Sequence, residues 1–132
     1  MRIPFDSLTL AAVLSELRGW LGCRVQQASQ PDDSTLVLGL YGSAGETWLV
    51  LCWHAEFARM HLSYRKPRNA PSPPGFLQAV RAHLVGSRLE QVEQQGFDRV
   101  ARLVFAGPKG GRTLVLETMG KHSNLALLDE AG

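Results

Sequence analysis

The chain has 132 residues, 45% of them hydrophobic and 20% charged, enough to bury a core of its own and not the composition of a disordered polymer. Its 14 Lys and Arg against 12 Asp and Glu leave a net charge of +2, too small to name a partner. Two cysteines, Cys23 and Cys52, sit in apolar surroundings without C-x-x-C spacing, so neither a disulfide framework nor a zinc site is suggested and both read as buried free thiols. No apolar run approaches the ~20 residues of a membrane helix. Pro4 and Asp6 stand where a signal peptide would need its apolar stretch, so the expectation is a cytoplasmic protein without a membrane partner.

In chain order, Leu8 to Leu21 repeats apolar residues at helical spacing, with Asp6 or Ser7 as its N-cap. Arg24 to Ala28 alternates as a short strand, and Pro31 to Ser34 is a turn. Leu36 to Leu40 and Trp48 to Trp53 form a hairpin around Gly42 to Gly45, and Arg59 to Ser63 suits one more half-buried strand. Residues 65–74 hold Pro67, Pro71, Pro73 and Pro74, a linker that cannot be helix or central strand. A second helix follows over Gly75 to Val85. After it come a strand at Arg88 to Val92, a turn at Gln94 to Asp98, strands at Val100 to Phe105 and Thr113 to Thr118 around Gly107 to Gly111, and a last strand at Leu125 to Leu128.

The second half thus repeats the first, helix then four strands, over residues 8–63 and 75–129 of a single domain. Leu21-Gly22-Cys23-Arg24-Val25 answers Val85-Gly86-Ser87-Arg88-Leu89 at a spacing of 64, and Trp48-Leu49-Val50-Leu51 answers Thr113-Leu114-Val115-Leu116 at 65, which places the one-residue slip in the hairpin loop. Two copies are too few for a solenoid. They predict an α+β fold in which two pseudo-symmetric helix-plus-sheet repeats form a two-layer β-sandwich. Charge is uneven between the halves: residues 1–57 carry three basic and six acidic side chains, the rest eleven and six, a weak pointer to a polyanion.

Polar residues present in one copy only have no symmetric reason to be there. Asp98-Arg99 falls opposite Ser34-Thr35, and Gly120 to Ser123 opposite Ala55 to Ala58. The loop Gly120-Lys121-His122-Ser123-Asn124 reads either as a β-turn or as a polar binding loop held by two strands. A nucleophilic triad is poorly supported, since Ser123 and His122 are sequence neighbours and no G-x-S-x-G elbow appears. His54, His61, His83 and His122 lack metal-ligand spacing, so no metal is expected. Gly107 to Gly111 carries Lys109 without Gly-Lys-Ser or Gly-Lys-Thr and is not a P-loop. The remaining donors, Arg81, His83, Arg99, Lys121, Ser123 and Asn124, suit phosphate and ribose contacts, which favours binding over catalysis and requires no cofactor.

Several of these segments together carry a resemblance. Phe5-Asp6-Ser7-Leu8-Thr9-Leu10, Arg81-Ala82-His83-Leu84-Val85-Gly86, Gly96-Phe97-Asp98-Arg99 and Glu117 to Asn124 resemble the N-terminal domain of the NFACT family, over about Pro4 to Asp129. That family includes proteins called fibronectin-binding protein A and ribosome quality control factors. The resemblance implies binding of tRNA and of a large ribosomal subunit carrying a stalled peptidyl-tRNA, in support of untemplated C-terminal tailing. It implies that Asp98 and Arg99 contact tRNA, that Gly120 to Asn124 form a second motif, and that the fold is similar to the N-terminal domain of formamidopyrimidine-DNA glycosylases. Gly96 and Gly120 serve as loop glycines. Thr118 stands where the family commonly has Met. The alternatives are a fibronectin-binding adhesin, or a glycosylase-like DNA-binding domain without catalysis, because Pro4 lies behind Met1-Arg2-Ile3 and offers no N-terminal amine.

Overall fold

The computed structural model describes residues 7–55, 58–65, 75–95, 99–108, 110–118 and 123–129. Its elements run α1 (Ser7–Arg18), β1 (Arg24–Asp32), β2 (Thr35–Gly42), β3 (Gly45–Cys52), β4 (Arg59–Ser63), α2 (Gly75–Leu84), β5 (Arg88–Gln94), β6 (Val100–Ala106), β7 (Arg112–Glu117) and β8 (Asn124–Leu128). The first helix stops three residues earlier than its apolar spacing predicts. Gly19, Trp20 and Leu21 donate instead to the carbonyls of Glu16, Leu17 and Arg18, the tighter turn that closes many helix ends. The first strand runs past Pro31, which the sequence places in a turn. The β1–β2 ladder shifts register between Ser29 and Asp32, where a residue without an N–H breaks no regular bond.

The sandwich of two separate sheets is corrected. All eight strands hydrogen-bond in one antiparallel sheet, in the order β4-β3-β2-β1-β5-β6-β7-β8. Without the contact between β1 and β5 each four-stranded half would present an unpaired inner edge, and pairing the two edges removes both. That contact is confined to the starts of the two strands. Gly22 and Val25 donate to the carbonyls of Leu89 and Ser87, while Gly86 and Leu89 donate to those of Val25 and Cys23, at 2.8 to 3.0 Å. Gly22 and Gly86 take φ values of +86° and +94°, the left-handed conformation that lets each helix turn back into its strand.

The ladders of the two halves agree residue for residue. Val25 faces Leu40 and Leu89 faces Phe105, each followed by a shift that skips one residue, Gln26 or Glu90. Leu38 faces Leu49 and Leu103 faces Leu114. Every strand from β2 onward is offset by 65, so the slip lies between β1 and β2, not in the hairpin loop, and Arg99 corresponds to Ser34.

One core joins both halves. Leu36, Leu38, Leu40, Leu49, Leu51 and Met60 from the first meet Leu103, Phe105, Leu114, Leu116 and Leu125 from the second, with Leu10, Leu14 and Leu17 of α1 and Leu77, Val80 and Leu84 of α2. Each helix lies on the first strand of the other half, α1 against β5 and β4, α2 against β1. An arginine ties each crossing: Arg18 Nη2 donates to the Val92 carbonyl at 3.4 Å and Arg81 Nε to the Ala28 carbonyl at 3.0 Å.

Candidate nucleic-acid interface

The ends of β5 through β8 gather two connections at one edge of the second half. Gln95 N–H donates to the Val100 carbonyl, closing the turn between β5 and β6, while Val100 pairs with Glu117 and Glu117 with Asn124. Thr118 joins the two connections. Its N–H and its Oγ1 both donate to the Arg99 carbonyl, at 2.9 and 3.0 Å, and its side chain is 2% exposed. Two donors on one carbonyl fix the peptide from which Arg99 projects, and the Arg99 side chain is half-buried. Ser123 is half-buried and bonded, and Asn124 is exposed as the first residue of β8. Arg99, Ser123 and Asn124 are therefore brought together. Asp98, Gly96, Gly120, Lys121 and His122 lie outside the described residues.

The other two predicted donors stand elsewhere. Arg81 is committed to β1 through Ala28. His83 bonds Arg112 Nη2 through Nδ1 at 3.2 Å, and Arg112 also donates to the Gly111 carbonyl at 2.8 Å. A guanidinium can only donate, so His83 Nδ1 is the acceptor and the ring proton belongs on Nε2. Arg112 pairs with Phe105, at the opposite end of β6 from Arg99. At about 3.3 Å per residue the strand separates them by roughly 20 Å, so His83 and Arg99 serve different surfaces.

Thr118 is the residue that sequence reasoning undervalued. It stands where the family commonly has Met, yet its hydroxyl makes one of the two bonds to the Arg99 carbonyl. A β-branched hydroxyl residue closing an alternating strand was the available signal.

The corresponding end of the first half is built alike and charged differently. Trp53 N–H donates to the Ser34 carbonyl at 2.8 Å, the counterpart of the Thr118 bond, and the Trp53 ring packs edge-on against Phe76 with centroids 6.0 Å apart. Asp32 Oδ1 accepts from Ser34 N–H at 2.9 Å. A depression of about 370 Å³ there is lined by Asp32, Asp33, Ser34, Thr35, Cys52, His54 and Arg59. Two adjacent carboxylates, with Arg59 and His54 across from them, give this end a mixed charge where the other presents Arg99.

Among the described residues no three His, Cys, Asp or Glu gather as metal ligands. Burial pushes the Cys23 thiol up to about 11, far from a reactive thiolate. Burial first, and then the charge of Arg59, holds His61 below its ordinary value. Among the described residues no helix is long and apolar enough to cross a membrane.

Comparison with known proteins follows the same direction. The family model described as NFACT N-terminal and middle domains matches residues 6–132. The Rqc2 homolog RqcH of Streptococcus pneumoniae is 32% identical over 135 aligned positions, covering 98% of this chain and 24% of that protein. RqcH of Bacillus subtilis is 29% identical with the same coverage, and a Drosophila melanogaster protein named as a ribosome quality control complex subunit NEMF homolog is 28% identical over 98% of the chain. Among solved structures, the N-terminal domain of the fibronectin-binding protein PavA from S. pneumoniae superposes with a TM-score of 0.89 at 32% identity, covering 96% of this chain and 50% of that one. The fibrinogen-binding protein from Staphylococcus aureus gives 0.85 at 32% identity, over 97% and 47%. The chain thus spans about a quarter of the length of the bacterial RqcH proteins, at 24%. Its α+β architecture, an antiparallel sheet with two helices, is that of the PavA domain. Matched by the family model over almost all of its length, the chain belongs to the NFACT family.

Proposed function

We propose that this chain is a non-enzymatic, cytoplasmic RNA-binding module of a ribosome quality control factor. Its partners in this reading are tRNA and the large ribosomal subunit carrying a stalled nascent chain, and it supports untemplated C-terminal tailing. The relatives named for ribosome quality control supply the biological setting. One observation carries the site: Thr118 holds the Arg99 carbonyl twice and so fixes Arg99 at the same end of the sheet as Ser123 and Asn124, one strand away, in the more basic half. A planar guanidinium held at its root can fork two phosphate oxygens or stack on an unpaired base. Asp98, Lys121 and His122 belong to the same two connections in sequence, Lys121 and His122 as further donors and Asp98 as an acceptor.

The test is association of the chain with tRNA and with large subunits, compared with Arg99→Glu. The variant is expected to keep its melting temperature and lose at least roughly ten-fold in affinity, since one phosphate contact becomes a repulsion. Wild-type affinity retained by Arg99→Glu would overturn the assignment.

Fibronectin binding is a second reading, raised by the name of the PavA structure. Titrating immobilised fibronectin with the same two proteins separates the readings: saturable binding indifferent to Arg99 would favour it.

A further inference from the structure

The β1–β5 junction places two arginines face to face. Arg24 and Arg88 occupy the same position in the two halves and are the register pair of the two strands. The flanking bonds, Val25 N–H to the Ser87 carbonyl and Leu89 N–H to the Cys23 carbonyl, make this a non-hydrogen-bonded pair, the arrangement that brings opposite Cα atoms to about 4.5 Å and their side chains closest. Both side chains are exposed, on the face away from the core that takes Val25 and Leu89. Like charges set directly opposite repel, and an anion seated between them would turn that repulsion into two attractions.

The surroundings extend that anion into a larger ligand. Tyr41, 51% exposed, lies opposite Arg24 on β2. Ala106 lies opposite Arg88 on β6 and borders a depression of about 460 Å³. Val104 and Leu128 give that depression apolar lining, Arg102 and Arg112 supply donors, and Glu90 and Asp129 supply acceptors for a base edge or ribose, away from the Arg24–Arg88 pair that would take the phosphate. Its size suits a nucleoside, and its mixed lining suits a base that stacks on one side and hydrogen-bonds along its edge. At the corresponding place in the first half the Trp48 ring lies over Gly39.

We propose that the Arg24–Arg88 seam is a phosphate site for the RNA backbone, with the neighbouring nucleoside in the groove beside Ala106. It rests on the RNA-binding reading and adds a surface separate from the Arg99 end. Two guanidiniums related by the symmetry of the two halves match the paired non-bridging oxygens of a phosphodiester.

The experiment is a salt series of tRNA binding by the whole chain, with Arg24→Gln/Arg88→Gln and with Arg24→Lys/Arg88→Lys. The Gln pair is expected to fold with an unchanged or higher melting temperature, to bind roughly ten-fold more weakly, and to show a log K against log salt slope shallower by about 1 to 2, the counterions no longer released. The Lys pair is expected to keep the slope and lose only part of the affinity. If the wild type binds tRNA and the Gln pair matches it in affinity and slope, the seam proposal fails and the RNA reading survives. If the wild type does not bind tRNA, both fail. Sedimentation with phosphatidylserine vesicles that depends on the same two arginines would assign the seam to a membrane surface and overturn the RNA site.

Discussion

The two halves of this molecule share a scaffold and differ at its exposed ends. Both place a left-handed glycine before the first strand, both skip one residue at the same point of the first ladder, and both tie the third strand's end to the carbonyl of the residue before the second strand or its first turn. At the first half's end that tie is one N–H from Trp53, beside Asp32 and Asp33. At the second it is an N–H and a hydroxyl from Thr118, holding Arg99. The outward faces differ too. Val37 is 1% exposed and Val50 7%, while their counterparts Arg102 and Val115 are half-buried. Residues that set backbone course recur, and residues that set surface chemistry do not, which is why the differences are the informative positions.

The largest expected effect sharpens the contrast between the outward faces. A Cβ on Gly39 would stand 2.6 Å from Trp48 Cζ3, across the Gly39–Trp48 pair, whereas the second half has Val104 facing Thr113 at these positions. Gly39→Val is expected to cost about 1 to 3 kcal/mol through overpacking. Adding Trp48→Thr installs the pattern of the other half, and the double variant should then be more stable than the two single losses add up to. Strict additivity in urea unfolding would show that the ring and the glycine are not coupled.

A smaller loss tests the clip. Thr118→Val keeps the N–H bond to Arg99 and deletes the hydroxyl bond, reducing the second half to the single tie of the first. The expected cost is about 1 kcal/mol, with a loss of RNA affinity smaller than that of Arg99→Glu. A Thr118→Val protein that binds RNA as the wild type does would make the second bond a matter of stability alone.

The smallest effect, absent at neutral pH, concerns Cys23, whose counterpart is Ser87. Burial raises its thiol from 9.0 to about 11, so the folded chain holds a proton that the unfolded chain releases first. Stability is therefore unaffected below about pH 9 and falls as pH rises toward 11. Cys23→Ser should flatten that alkaline decline relative to wild type. Parallel declines would place the titrating group elsewhere.

How much of this was legible in the sequence depended on whether the signal was local. The second helix was readable to within a residue because prolines precede it and Gly86 ends it. The strands of both hairpins were readable from their apolar runs and glycine turns. The passage of β1 through Pro31 was not, because only the ladder shows that its register shifts there. The single sheet was hidden for a similar reason: it depends on four backbone bonds between β1 and β5, which leave no mark on side-chain periodicity. At the candidate site, Arg81 and His83, which the sequence sets beside Arg99 as donors, stand away from it in the fold. Sequence spacing does not report that α2 crosses to the other half, where Arg81 bonds Ala28.

That crossing also governs when the chain can fold. The helix α1 is among the first parts of this sequence to leave a ribosome, and its apolar face of Leu10, Leu14 and Leu17 is completed only by β5. Arg18 waits for the carbonyl of Val92, 74 residues downstream. The second half owes the same debt in reverse, since α2 needs a β1 made long before. Each helix thus takes part of its cover from the other half, so α1 is synthesised well before β5, the strand that completes its packing. Contacts of such separation slow folding and favour chaperone capture of the nascent chain until the last strands emerge.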